Sequence, residues 1–222
     1  DAADDDVSHA LAAIMSGFIE TTCAWINSAA DAESQPELLT AFWEMNHRCL
    51  VFQPGLLLQL PCATTLFETG IGCICHQEFQ HTRAVLTFLC LFMSGTESAG
   101  PFRETTLCCL QQNGAWLLRQ CISGLAAVSP ENLLDHQVEL MRVLIESCPG
   151  AGQSWLVKAI ADPSFVCGAV DPHGPTMATF GRLVLQQPAL STAEFQCVVS
   201  DFSAICRGKL GADALARYEQ KA

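Results

Sequence analysis

Apolar residues recur every three or four positions along most of this chain, which is the spacing that gives an α-helix one buried face. Polar or proline- and glycine-containing segments, at 27–34, 54–55 and 96–100, separate these stretches. Few segments alternate apolar and polar residues, so strands have little support. The pattern predicts helices over about 7–26, 36–52, 56–75, 78–93, 101–128, 130–147, 153–161, 176–187, 192–206 and 212–220.

Three of the predicted helices begin with a capping signal. Segments 34–37 (Ser-Gln-Pro-Glu) and 191–194 (Ser-Thr-Ala-Glu) have the spacing of a capping box, and Ser129 precedes Pro130, which suits a first helical position. With a fourth helix beginning near Glu78, the starts fall near 35, 78, 130 and 191, about 43, 52 and 61 residues apart. The first interval lies in the window of about 40–47 residues typical of HEAT and armadillo repeats, and the other two require insertions.

Consecutive helices can therefore be paired. We expect pairs over about 7–53, 56–94 and 101–148, followed by an irregular terminal unit at 151–222. One helical hairpin cannot bury its own apolar face, so the pairs should stack. The predicted fold is all-α, an α-α superhelix of antiparallel helix pairs like a HEAT or armadillo solenoid, and it forms one unit over 1–222.

Local breaks and free faces add three expectations. Pro61 predicts a kink or restart in the third helix, and Asn113-Gly114 predicts a bend in the fifth. The proline- and glycine-containing segment 162–175 predicts an irregular loop. The upstream face of the first helix should be exposed, and we expect this chain to be the C-terminal part of a longer one.

Composition and charge narrow the function classes. Hydrophobic residues make up 50% of the chain and charged residues only 15%, which suggests helices packed on two sides. The net charge of -12 argues against nucleic-acid binding, which requires clustered Lys and Arg. It favours a basic protein partner. The alternative explanation is that the negative charge only keeps the chain soluble. No run reaches the roughly 18 apolar residues of a membrane span, so no membrane association is expected.

Thirteen cysteines first suggest a disulfide framework. Their number is odd, the chain is long, and most of them lie among apolar residues, where free cysteine acts as a small hydrophobe. This usage indicates a reducing compartment. The cysteines on predicted apolar stripes are Cys23, Cys49, Cys90, Cys121, Cys148, Cys197 and Cys206.

Catalytic and metal chemistry have weak support. Cys73, Cys75 and His76, with His81 nearby, raise the question of a metal site, but two cysteines two positions apart on a helix face different directions. Cys108-Cys109 and the six histidines lack any motif of a thiol enzyme. No P-loop or dinucleotide-binding glycine motif is present. We expect no catalytic, cofactor-binding or metal-binding residues and no enzymatic activity.

The stretch from 38 to 95 resembles the C-terminal HEAT repeats of importin-β-type nuclear transport receptors, the karyopherins, and is most similar to the branch of transportin-3 and importin-13. The resemblance extends over about 7–209 and depends on the order and spacing of its pieces. These are Thr40-Ala41-Phe42-Trp43-Glu44 before a helix ending at Phe52-Gln53-Pro54, the helix end Gly70-Ile71-Gly72-Cys73-Ile74, the stretches from Thr82 to Leu89 and from Gln112 to Gln120, and the helix from Phe195 to Lys209.

The resemblance implies a receptor segment that binds cargo proteins in Ran-dependent nuclear import and shuttles between cytoplasm and nucleus. Ran would bind upstream repeats, and nucleoporins are further candidate partners. The arginine-rich helix that recognises phosphorylated Arg-Ser cargo in transportin-3 has no counterpart here, so that site is not carried over. The alternative is a HEAT or armadillo scaffold of a cytosolic complex unrelated to transport.

The second helix of each pair lines the concave side of a HEAT solenoid, so its charged residues are the candidate binding site. On the helix over 130–147 these residues recur at spacings of three and four, opposite an apolar face. We predict a mildly acidic groove for a basic cargo or adaptor; an ordinary solvated helix face is the alternative. The candidates are Glu37, Glu44, Arg48, Glu78, Arg83, Glu131, Asp135, Glu139, Arg142 and Glu146.

Overall fold

The computed structural model describes residues 2–28, 32–97, 100–163, 165–187 and 189–219, and all regular structure in these ranges is helical. The helices are α1 (Ala2–Ser28), α2 (Pro36–Phe52), α3 (Pro54–Leu58), α4 (Ala63–Cys73), α5 (Phe79–Ser94), α6 (Pro101–Ser123), α7 (Leu134–Ser147), α8 (Gly152–Ala161), α9 (Pro175–Val184), α10 (Thr192–Cys206) and α11 (Ala216–Glu219). Short 3₁₀ turns precede α2, α7 and α11, and one follows α5.

The helices form two layers, and the fold is an all-α solenoid of antiparallel helix pairs. In the first layer α1 packs against α4, α4 against α6, and α6 against α8. In the second layer α2 packs against α5, α5 against α7, and α7 against α10. A continuous core that extends from Ile19 to Leu215 holds the layers together.

An aromatic cluster from both layers forms the centre of this core. The ring of Trp43 on α2 lies 5.1 Å from that of Phe88 on α5. Phe92, one turn further along α5, lies 4.8 Å from Phe67 on α4 in a stacked arrangement. All four side chains are fully buried, so they join α2, α4 and α5 through apolar contact.

Helix positions agree well with the sequence pattern. The bounds of α2 and α10 are those predicted, whereas α1 begins five residues earlier than expected. The predicted helix over 56–75 is divided into α3 and α4 on either side of Pro61, which confirms a restart there. At Asn113-Gly114, where a bend was expected, α6 continues without interruption.

Only one of the three predicted caps forms as expected. At the start of α10, Ser191 Oγ accepts from the Glu194 N–H and Glu194 accepts from the Ser191 N–H, which completes the capping box. Ser34 lies in a 3₁₀ turn, and α2 begins after Gln35 without a side-chain cap. The cap at Ser129 was also wrong, because its buried hydroxyl donates to the carbonyl of Ile74 at 3.1 Å and so joins two successive helix pairs.

The end of α6 contacts the guanidinium of Arg207, the residue that follows α10. After Ser123 the helix widens into a π-helical turn over Gly124–Val128, which leaves carbonyl groups to be satisfied from elsewhere. Arg207 donates to the carbonyls of Leu125 at 3.2 Å, Gly124 at 3.4 Å and Ser129 at 3.0 Å. Ser203 Oγ also donates to the carbonyl of Leu125, at 2.7 Å, so two side chains hold the irregular turn between α6 and α7.

Arg207→Met should reduce the free energy of unfolding by about 1–3 kcal/mol, because the apolar side chain removes three donated hydrogen bonds; the carbonyl of Leu125 then keeps only Ser203 Oγ, and that of Gly124 only the Ser129 N–H. The measurement is urea denaturation followed by circular dichroism. Arg103→Met is the matched control: Arg103 is exposed on α6, and its replacement should change the unfolding free energy by less than about 0.5 kcal/mol. Equal effects of the two substitutions would contradict the role given to Arg207.

Candidate protein-binding surface

A groove follows the solvent-exposed faces of α2, α5 and α7, and we call it the α2–α5–α7 groove. Its first part, between α2 and α5, has a volume of about 250 Å³, and its second, between α5 and α7, about 480 Å³. His47 and Thr87 line both parts, so the groove is continuous across three helices. The first part is also lined by Glu44, Arg48, Gln80, Arg83 and Ala84. The second is also lined by Cys90, Leu91, Ser94, Thr96, Glu97, Glu139, Arg142, Val143, Glu146 and Ser147.

Helical periodicity places these side chains on the face of the helix that points away from the core. On α2, Glu44, His47 and Arg48 are three and four positions apart, which puts them on one face. The neighbouring positions Phe42 and Trp43 are buried in the core. The same apolar stripe that packs the two layers therefore decides which charged residues reach the groove.

The second part of the groove is acidic. Arg142 lies between two carboxylates: its Nη2 is 2.7 Å from Glu139 Oε1, and its Nη1 contacts Glu146. Both contacts raise the pKa of the Arg142 guanidinium above its usual range, and the contact with Glu139 has the larger effect. Glu97 lines the same part, so three carboxylates there face one guanidinium. The local surplus of negative charge suits a cationic side chain.

The first part of the groove has the opposite character. Arg48 and Arg83 line it with a single acid, Glu44. In the part of the chain that the structure describes, neither guanidinium forms an ion pair. The groove thus has an acidic end at α7 and a basic end at α2, where the sequence pattern predicted a mildly acidic groove.

Six of the ten candidate residues line the groove, and four have other positions. The Glu131 carboxylate accepts from Lys209 Nζ at 2.6 Å, and this contact lowers its pKa. Asp135 accepts from Gln196 at 3.3 Å, which links α7 to α10. Glu78 caps α5 by accepting from the His81 N–H at 2.6 Å. Glu37 is exposed in the first turn of α2, outside both parts of the groove.

Sequence reasoning missed several groove residues. His47 lies three positions after Glu44, and Thr87 lies four after Arg83, so helical spacing would have found both. Helical spacing could not have found Glu97, because it lies in the 3₁₀ turn after α5, where the chain leaves the helix toward α6.

A second, apolar groove lies between α1 and α2. It has a volume of about 530 Å³ and is lined by Phe18, Thr21, Thr22, Trp25, Leu38, Ala41, Phe42 and Met45. Ile14 is 69% exposed and Leu38 is 54% exposed. The expected exposure of the first helix's apolar face is confirmed, and in stacked helical repeats such a face is the one against which another pair packs.

The cysteines serve mainly as core residues. All thirteen lie within the described ranges and are free thiols. Cys23, Cys121 and Cys206 are buried as expected, but Cys197 is exposed on α10, so its assignment to an apolar stripe was wrong. Burial raises the pKa of the Cys90 thiol, beside the groove, to about 12, which keeps it protonated and weakly nucleophilic.

Among the described residues, no helix combines the length and the apolar character needed to cross a membrane.

The layered pairs and the charged groove define a HEAT-type helical scaffold. A solved structure of importin-13, in its cytosolic state, has the same architecture: it superposes with a TM-score of 0.72 over 90% of this chain at 13% sequence identity. This chain spans 22% of the importin-13 chain. No protein-family model matches the sequence, and no curated protein matches it. At this identity the similarity shows a shared importin-like fold.

Proposed function

We propose that this chain is a cargo-binding segment of a nuclear transport receptor, and that it recognises proteins on the α2–α5–α7 groove without catalysing a reaction. The observation that carries the proposal is the importin-13 likeness, because it extends over 90% of the chain and includes both helix layers. The receptor would move between cytoplasm and nucleus, and it would bind Ran through repeats outside these residues.

Recognition in such a groove depends on many weak contacts. Each exposed ion pair contributes about 0.2–1 kcal/mol, so affinity has to be distributed over several helices. The acidic part at α7 suits Lys or Arg side chains of a cargo protein, and Arg48 and Arg83 suit a carboxylate of the same partner. Complementary charge along the groove would fix the orientation of the bound segment and speed its association.

Ran binding tests the transport function. The protein, tagged at its own gene and captured from cell extract, is incubated with Ran carrying a non-hydrolysable GTP analogue or GDP. We expect retention of the GTP form and release of co-captured cargo, with little effect of the GDP form. Absence of any preference for the GTP form would overturn the transport proposal and favour a HEAT scaffold of a cytosolic complex.

A neutralised groove tests the binding surface itself. The double substitution Glu139→Gln/Glu146→Gln should weaken binding of a fluorescent Lys- and Arg-rich peptide about tenfold, because two carboxylates are lost from the acidic part. The measurement is fluorescence anisotropy at two salt concentrations. Glu37→Gln/Glu104→Gln changes the net charge equally at exposed positions outside the groove. Equal weakening by both pairs would mean that the peptide senses only the overall charge of the chain.

A further inference from the structure

Three potential metal ligands meet where α4 turns into α5. Cys73 is the last residue of α4, His76 lies in the turn, and His81 lies in the first turn of α5. One ligand atom from each of them lies within 4.8 Å of the other two. His76 Nδ1 is 2.9 Å from His81 Nε2. The turn between α4 and α5 therefore brings together three residues that span eight positions of the sequence.

Neighbouring groups hold this cluster in position. The Glu78 carboxylate accepts from the backbone N–H of His81 and so fixes the start of α5. Thr82 Oγ1 donates to the backbone carbonyl of His76 at 3.0 Å, which fixes the turn. Cys73 is buried at the end of a regular helix. The fold therefore brings the three ligand atoms together, within 4.8 Å of one another.

The two ring nitrogens of His81 have different surroundings. His81 is 1% exposed, and its Nδ1 has no hydrogen-bond partner. Nε2 of the same ring lies 2.9 Å from His76 Nδ1 and faces the cluster, so Nε2 is the nitrogen that would bind an ion, and Nδ1 would keep the ring proton.

We propose that Cys73, His76 and His81 bind one Zn²⁺ ion between α4 and α5. A thiolate with two imidazoles is a ligand set typical of zinc, and three protein ligands leave the fourth tetrahedral position to water. Bond lengths of about 2.0–2.1 Å to nitrogen and about 2.3 Å to sulfur place tetrahedral ligand atoms roughly 3.3–3.6 Å apart. The two imidazole nitrogens lie 2.9 Å apart and all three ligand atoms lie within 4.8 Å, so binding requires shifts of about 1 Å. Binding replaces the thiol proton of Cys73, which passes to solvent.

A carboxylate completes the surroundings of the site. Glu33 Oε1 lies 3.6 Å from Nε2 of His76, the nitrogen that is left free when Nδ1 faces the cluster. Metal-bound histidines usually donate their second ring N–H to such a carboxylate, which orients the ring. Glu33 belongs to the 3₁₀ turn before α2, so the ion would connect two successive helix pairs.

The sequence argument against a metal was based on the divergence of Cys73 and Cys75. The two thiols do diverge, since Cys75 donates to the carbonyl of Gln120 at 3.6 Å. The cluster instead pairs Cys73 with histidines on the other side of the turn. Cys75 is therefore a matched control for Cys73, as it lies in the same segment but outside the cluster.

Zinc content and cobalt spectroscopy test the proposal on the whole chain. The wild type, Cys75→Ser, Cys73→Ser and His76→Gln are purified with ZnSO₄, desalted, and analysed by mass spectrometry for zinc per chain and by competition with a chromophoric chelator. We expect one zinc in the wild type and in Cys75→Ser, and at least tenfold weaker binding in His76→Gln. Glu33→Gln should weaken binding about 10- to 100-fold.

Cobalt identifies the ligands directly. Co²⁺ in the metal-free wild type should give the visible bands of a tetrahedral site and a thiolate charge-transfer band, and Cys73→Ser should lose the charge-transfer band. His76→Gln keeps all thirteen cysteines and alters a partly exposed turn residue, so it should remain folded and separates this site from zinc captured by thiols elsewhere. A wild type without zinc, or equal affinity in His76→Gln, would overturn the proposal.

Discussion

Replacing Phe88 with alanine should lower the free energy of unfolding by about 3–5 kcal/mol. Phe88 is fully buried on α5, with its ring 5.1 Å from Trp43 and 5.9 Å from Phe92. Truncation removes the apolar area that joins α5 to α2 and leaves a cavity, because rigid helices on both sides cannot close around the smaller side chain. The measurement is urea denaturation monitored by circular dichroism and tryptophan fluorescence.

Phe52→Ala is the control for this prediction. Phe52 is the last residue of α2 and is 75% exposed, so the same chemical change there should alter stability by less than about 0.5 kcal/mol. A destabilisation by Phe88→Ala no greater than that by Phe52→Ala would show that the α2–α5 interface is not the centre of the core.

Gly114→Ala should destabilise the chain by about 1–3 kcal/mol, although replacing glycine with alanine inside a helix usually stabilises a protein. Alanine favours a helix over glycine by about 0.8–1.0 kcal/mol. However, a Cβ at position 114 would lie 2.9 Å from Cδ2 of Trp155 and closer still to Cε2 and Cζ2. Trp155 is buried on α8, so its rigid ring has little room to move, and the overlap outweighs the helix propensity.

Thermal denaturation checks this prediction, with an expected decrease in Tm of about 2–12 °C for a chain of this size. Gly17→Ala on α1 is the matched control, since a Cβ there meets no atom within 4 Å. It should stabilise the chain by up to about 1 kcal/mol through helix propensity alone. An increase in Tm with Gly114→Ala would mean that α6 and α8 are less closely packed than the structure has them.

Helix positions were accessible from the sequence because their signals are local. Pro36 and Pro54 delimit α2, and Ser191 with Glu194 marks the start of α10; in both cases apolar spacing agrees with the breakers and caps. The cap predicted at Ser129 failed because its hydroxyl is used in a contact with Ile74, 55 residues away in sequence. Local patterns do not distinguish a side chain that caps its own helix from one that bonds to another repeat.

The candidate groove was predictable only in part, for the same reason. Glu44, Arg48 and Arg83 lie on second helices and line the groove as proposed. Glu131 lies on the same predicted helix face as Glu139, yet it pairs with Lys209 from the C-terminal segment. The division of the groove into acidic and basic ends depends on which helix lies beside which, and helical periodicity does not contain that information.

The amino-acid sequence by itself determined an all-α chain with mostly correct helix boundaries, because helix formation depends on residues three and four positions apart and on caps and breakers within a few residues. The tertiary structure alone decided that Cys73 meets His76 and His81, that Gly114 accommodates Trp155, and that Arg207 satisfies the end of α6. These contacts depend on the register between packed helices, which arises from the whole core and which no short stretch of sequence specifies.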